Sequence, residues 1–192
     1  MKIGVFLNFI GLGSNLLHLS YCHQIAKKYG PISIITPCKN LKEALDEDPQ
    51  IAARMHCDKH VPKMCVEATQ MLVSAARRHG ATDSQVPLTK SGTPHKGGYH
   101  NHPCTQWAGD TRDNFMWLYW HGRGLTLEFE HRFGKIHACD EQLVVCGSLW
   151  RIVPEGKLTP FAQAMPDEYK NSCGITAYRD YYFYDKRENI QC

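Results

Sequence analysis

Apolar and polar positions separate most cleanly across residues 54–72, RMHCDKHVPKMCVEATQML. Read at helical period, Val61, Met64, Cys65, Ala68 and Leu72 form an apolar stripe. His56, His60, Lys63, Glu67 and Gln70 follow one another at spacings of four, three, four and three. The pattern predicts a helix with one face that packs and one that carries two imidazoles, an amine and a carboxylate. Pro62 has no amide donor and disfavours helix at the residue before it. A kink or a fresh helix start is therefore expected there, with His56 and His60 off the face of Lys63 and Glu67.

The rest of the chain divides around this stretch. Residues 2–9 are a compact apolar run suited to a buried strand, followed by the glycine turn IGLGSN and an amphipathic stretch over 16–29 that Gly30 and Pro31 stop. Residues 32–36 read as a second strand, which makes a βαβ opening. Residues 79–104 are polar and aperiodic, as expected of a surface loop. Residues 105–133 are aromatic and helix-prone; Gly122 and Gly124 predict a kink or two helices there. Residues 142–153 suit a short strand or irregular structure. Pro160 and Pro166 suit the starts of short helices, and 178–186 a tyrosine-rich helix. The expected fold is α+β and predominantly α-helical: a βαβ-like piece over 1–45, then a helical domain over 46–192 packed around Met64, Leu72, Trp117, Leu118, Phe129 and Tyr178.

Composition narrows this picture only slightly. A chain of 192 residues with 43% hydrophobic residues is long enough for one domain, or two small ones, with a real core. A formal charge of +3 permits nucleic-acid binding without indicating it. No apolar run is long enough to span a membrane, and the N-terminus lacks the small-residue cleavage site of a signal peptide, so a cytoplasmic location is expected. Nine cysteines are scattered without a CxxC pair. That spacing excludes a ribbon-type zinc site and points to reduced, packed thiols.

The candidate chemistry gathers on two segments. A divalent metal such as zinc is one option, with His56 and His60 at i, i+4 and two further ligands, His102 and Cys104, from the HNHPC turn. The metal-free option uses the same residues differently. Lys63 serves as a desolvated nucleophile or phosphate contact, Glu67 or Asp58 as acid/base, and His60 beside them. His56, Lys96, Tyr99, His100, Asn101, His102 and Arg179 are then the substrate-binding candidates. Both options predict that the helix and the HNHPC turn face each other.

Two resemblances add expectations. Residues 1–51, with their strand, GLG turn, helix ending in KKYGP and the segment DPQI, resemble the N-terminus of a heptosyltransferase-like GT-B glycosyltransferase. The strings DPQIAARMHCDKHVPKM, HNHPCTQWAGDTRDNFMWL, EFEHRFGKIH, LTPFAQAMPDEYK and AYRDYY, spanning about 46–188, resemble a family of small tailed-phage proteins. The second resemblance implies a phage genome and the cytoplasm of an infected cell more than it implies a reaction. The expected function is a phage-type enzyme acting on nucleic acid or nucleotides, by base modification or excision. A non-enzymatic phage accessory protein binding DNA or a host protein, and a glycosyltransferase-related fragment, are the alternatives.

Overall fold

A computed structural model of the protein describes residues 3–6, 32–35, 46–56 and 58–184. Strands β1 (Ile3–Phe6) and β2 (Ile32–Ile35) pair in parallel, with Ile3 opposite Ile32 and Phe6 opposite Ile35. The helix predicted between them falls outside the described residues. From residue 49 onward the regular elements are helical: α1 (Pro49–Arg54), α2 (His60–Arg78), α3 (Pro103–Asp110), α4 (Arg112–Phe133), α5 (Asp140–Cys146) and α6 (Gly174–Tyr184), with 3-10 turns at Leu149–Ile152 and Asp167–Tyr169.

The break before Pro62 is a helix start. Proline in a first turn removes a donor that has no intrahelical acceptor anyway, so α2 begins at His60 and runs straight through it. His56 consequently sits in the turn between α1 and α2, off the helix. Asp48 caps α1, its carboxylate accepting from the amides of Gln50 (2.8 Å) and Ile51 (3.1 Å). Val61, Cys65, Ala68 and Leu72 are buried as the period predicts, whereas Met64 is only half-buried. Of the other expected core residues, Leu118 and Phe129 are buried, and Trp117 and Tyr178 are half-buried.

The structure corrects three local expectations. Residues 112–133 form one helix, not two, because the glycines serve close packing: a Cβ on Gly122 would stand 2.9 Å from Leu143 Cδ2, and one on Gly124 2.9 Å from the Ala53 methyl. Residues 140–152 are helical, with Leu143, Cys146 and Leu149 filling the core. The polar connection after α2 is a loop, as expected, and is hydrogen-bonded back to that helix through Ser74 and Arg77. No helix starts at Pro160, because residues 158–165 are held against α3 and α4 by buried Asn114: its amide donates to Trp107 O and to Thr159 Oγ1 (both 2.8 Å), and its carbonyl accepts from Thr159 N (2.9 Å). An amide with both ends satisfied is a specific clamp in an otherwise apolar place.

Five cysteines of the described residues are free thiols, and burial pushes Cys65 and Cys146 up to about 12, so both are packed as neutral groups. No described helix is long and apolar enough to cross a membrane.

The close approach of α1 to α4 predicts that Gly124→Val lowers stability by about 1–3 kcal/mol, the usual cost of overpacking. Urea unfolding measures this. An unchanged midpoint would mean that α1 does not dock on α4 as described.

Candidate functional site

With one stripe of α2 buried, the opposite stripe carries His60, Lys63, Glu67, Gln70, Ser74 and Arg77 toward the segment that comes after the helix. Three of these fasten residues 95–98. Arg77 Nε donates to His95 O (2.9 Å), while Ser74 Oγ donates to Gly98 O (2.7 Å) and accepts from Gly98 N (2.8 Å). Gly97 has φ +84°, and a Cβ there would collide with Ser74 Oγ, so no other residue fits. Gly98 lies against the Gln70 side chain.

The fastening delivers Tyr99 to Glu67. The phenol donates to Glu67 Oε1 at 3.3 Å, and Lys63 Nζ stands 3.2 Å from the same oxygen. The Glu67 side chain is 15% exposed; that of Lys63 is 63% exposed. The desolvation expected to activate the lysine amine is therefore missing, and the pair is worth no more than about 0.5 kcal/mol. Tyr99 has φ +56°, a left-handed conformation that costs an aromatic residue about 1–3 kcal/mol. One long hydrogen bond does not offset that. The anchored glycines and the turn closed by His102 N donating to Tyr99 O (2.9 Å) hold it.

His102 lies edge-on to the Tyr99 ring, centroids 6.2 Å apart, and caps α3 by accepting from Cys104 N through Nδ1 (3.2 Å). A ring that accepts at Nδ1 carries its proton on Nε2 when neutral. Cys104 Sγ is 3.7 Å from Tyr178 OH, which donates to Ala162 O (2.9 Å) and accepts from Ala164 N (3.1 Å). Because the phenol's single proton goes to Ala162, the thiol is the donor to Tyr178. Burial also raises its pKa, which disfavours the thiolate that a metal would need.

A second cluster lies at the start of α2. The His56 ring is 5.3 Å from that of His121 and 6.3 Å from that of His60. His121 stacks on Trp117 at 5.2 Å, and its Nδ1 donates to Pro49 O (3.0 Å), leaving Nε2 as the acceptor. Burial lowers both pKa values, His56 well below the usual range and His121 to about 4, with each imidazole and nearby Arg132 adding to the shift at His56. Arg132, 18% exposed at its side chain, binds the carbonyls of Arg54 (3.0 Å) and His56 (2.7 Å) and the carboxylates of Asp58 (2.9 Å) and Glu128 (2.8 Å). It is a clamp on the turn, and Asp58, the alternative to Glu67 as acid/base group, is part of that clamp.

The predicted residues thus split between two ends of one helix face. His60 and Glu67 are seven positions apart on α2, about 10 Å along the axis. His56 and His60 stand at one end with His121; Tyr99, His102 and Cys104 stand at the other with Glu67. Among the described residues no three His, Cys, Asp or Glu side chains are placed to hold a metal ion. His100 and Asn101 are exposed in the turn, Lys96 pairs with Asp83 (3.4 Å), and Arg179 is half-buried on α6. His121 was not among the sequence candidates. Its signal was the i, i+4 spacing from Trp117 on an aromatic helix.

A separate groove of about 530 Å³, lined by Arg112, Asp113, Met116, Trp150, Glu155, Gly156 and Lys157, contains none of the predicted residues. Its arginine is spent on the carbonyls of Val153 (3.1 Å) and Arg151 (3.4 Å) and on Glu155 (3.8 Å). No protein-family model, curated protein or solved structure matches the chain.

The buried imidazoles set a pH dependence. Folding lowers their pKa, so the neutral-state stability is fully present above the unfolded value near 6.5 and is lost as pH falls toward about 4. The shift at His121 alone corresponds to about 3 kcal/mol. His121→Gln keeps a donor for Pro49 O without a titrating group. Urea unfolding between pH 7 and pH 4 is expected to show a smaller loss for this variant than for the natural protein. Equal losses would mean that His121 is not held neutral.

Proposed function

We propose that the helical unit is an enzyme acting on nucleic acid or nucleotides, of the base-modifying or base-excising kind, with Glu67 as its acid–base group. The observation that carries this reading is the environment of Glu67: a largely buried carboxylate whose described partners are one exposed amine and one phenol mounted on a strained, anchored turn. A carboxylate placed only for stability has no need of a strained partner, whereas a proton-transferring one needs aimed neighbours. In this reading Glu67 takes a proton from the attacking water or substrate hydroxyl, and the Tyr99 hydroxyl and the His102 Nε2 edge orient the reacting group. Lys63 meets substrate phosphate on the rim.

The resemblance of the strings around His56, His102 and Met165 to a tailed-phage family supports a nucleic-acid role in an infected cell's cytoplasm. Residues 1–45 are taken as a βαβ piece in the same reading, on the parallel pairing of β1 and β2. The imidazole cluster at the start of α2 shapes the other end of the site.

The test is product formation, followed by mass spectrometry, on a panel of nucleotides and oligonucleotides. Glu67→Gln keeps the size and hydrogen bonding of the side chain and is expected to lower turnover about 10²–10⁴-fold. Lys63→Met is expected to raise KM with little change in kcat. Full turnover by Glu67→Gln sinks the acid–base assignment. No product from the natural protein on any member of the panel favours an accessory protein that binds DNA or a host protein.

A further inference from the structure

Tyr99 combines features that hydrogen bonding to Glu67 alone does not require. Its backbone is left-handed at φ +56°, yet an asparagine or glycine would meet that geometry at lower cost. The residue is 48% exposed, so a large aromatic surface is held out of the core. Its mounting is rigid on both sides: Gly97 and Gly98 are locked to Ser74 and Gln70 of α2, and His102, capping α3, meets the ring edge-on at 75° without a parallel stack over it. Near it in the chain and on α2 are two exposed amines, Lys63 (63% exposed at the side chain), paired with Glu67, and Lys96 (74%), paired with Asp83, with exposed His100 next in the chain.

A rigid aromatic face beside flexible cations is the arrangement that grips an unpaired base and its phosphates. Stacking tolerates any base, the ordering cost is already met by the protein, and the cations follow the backbone. A base paired within a duplex offers no free face to such a ring. We infer that Tyr99 is a stacking platform for an unpaired nucleobase, so that the site takes single-stranded nucleic acid, or a base flipped from a duplex, in preference to intact duplex. This inference rests on the nucleic-acid reading of the Glu67 site and names the form of its substrate. Tyr99 brings the base over Glu67 through the same hydroxyl that bonds the carboxylate, which links binding to the proposed chemistry.

The experiment is fluorescence anisotropy with a labelled oligothymidine of about twelve nucleotides, a length within the usual reach of such sites, and with the matching duplex, at low salt. The natural protein is expected to bind the single strand more tightly than the duplex. Tyr99→Phe keeps the ring and loses the hydroxyl, so it is expected to keep most of the single-strand affinity while its turnover falls. Tyr99→Asn accepts the left-handed backbone and removes the ring, so it is expected to lose roughly tenfold in affinity while its Tm is no lower. Affinity unchanged in Tyr99→Asn, or duplex bound as tightly as single strand, overturns the platform. If Tyr99→Asn binds normally while Glu67→Gln still loses turnover, the platform alone is wrong. If the natural protein neither binds nor processes any oligonucleotide, the nucleic-acid reading falls with it.

Discussion

The packing of α2 on α4 is the constraint on which the other features depend. Val61, Cys65, Ala68 and Leu72 on one helix meet a partner with Gly122, Gly124, Leu125 and Phe129 on its contact faces, and the glycines let α5 and α1 press in from either side. Helix propensity argues against two glycines in the middle of a 22-residue helix, at about 1 kcal/mol each. Close packing of Ala53, Ala68 and Leu143 against them outweighs that, because each contact buries apolar area that a side chain there would hold apart. Once that interface forms, the opposite stripe of α2 has to face the chain that returns after it.

The returning chain is a polar segment that the fold turns into a mount. Ser74, Arg77 and Gln70 occupy positions that a merely solvated face would leave to water, and they satisfy backbone groups of His95 and Gly98 or pack against them. The loop therefore has fixed geometry, and a strained residue survives at its tip because its neighbours over-determine it. The two ends of the α2 face also differ in electrostatic character. At Glu67 a carboxyl group stands beside an amine and a phenol. At His56 and His121 charge is excluded, and neutral rings stack where apolar groups would pack equally well. Burying imidazoles in the neutral form makes the fold sensitive to acid and holds their ring nitrogens at fixed positions.

Several features were legible along the chain. The apolar period of 61–72 specified the buried stripe of α2, since burial follows directly from which side chains share a face. The predominance of helix after residue 46 was readable for the same reason, whereas the expected convergence of His56 and His60 with His102 was not met, the histidines being divided between two ends of α2. Pro62 was ambiguous: the same residue kinks a helix in its interior and starts one in its first turn, and only the position of the break, set by Asp48 and Arg132 holding α1 and the turn after it, distinguishes the two.

Tertiary structure alone decided the rest. Whether Lys63 is desolvated depends on what covers it, and its side chain stays 63% exposed. Whether Asp58 or Glu67 is the available carboxylate depends on Arg132, seventy-four residues from Asp58, which takes Asp58 for the turn. Tyr99 owes its strained backbone to the anchoring of Gly98 on Ser74 and the turn closed by His102, and His121 its tautomer to Pro49 O. Residue types and their periodicity determine which groups this protein has and which helix face presents them. Their exposure, partners and protonation are set by long-range contacts, because desolvation and hydrogen bonding belong to a place in the fold and not to a position in the chain.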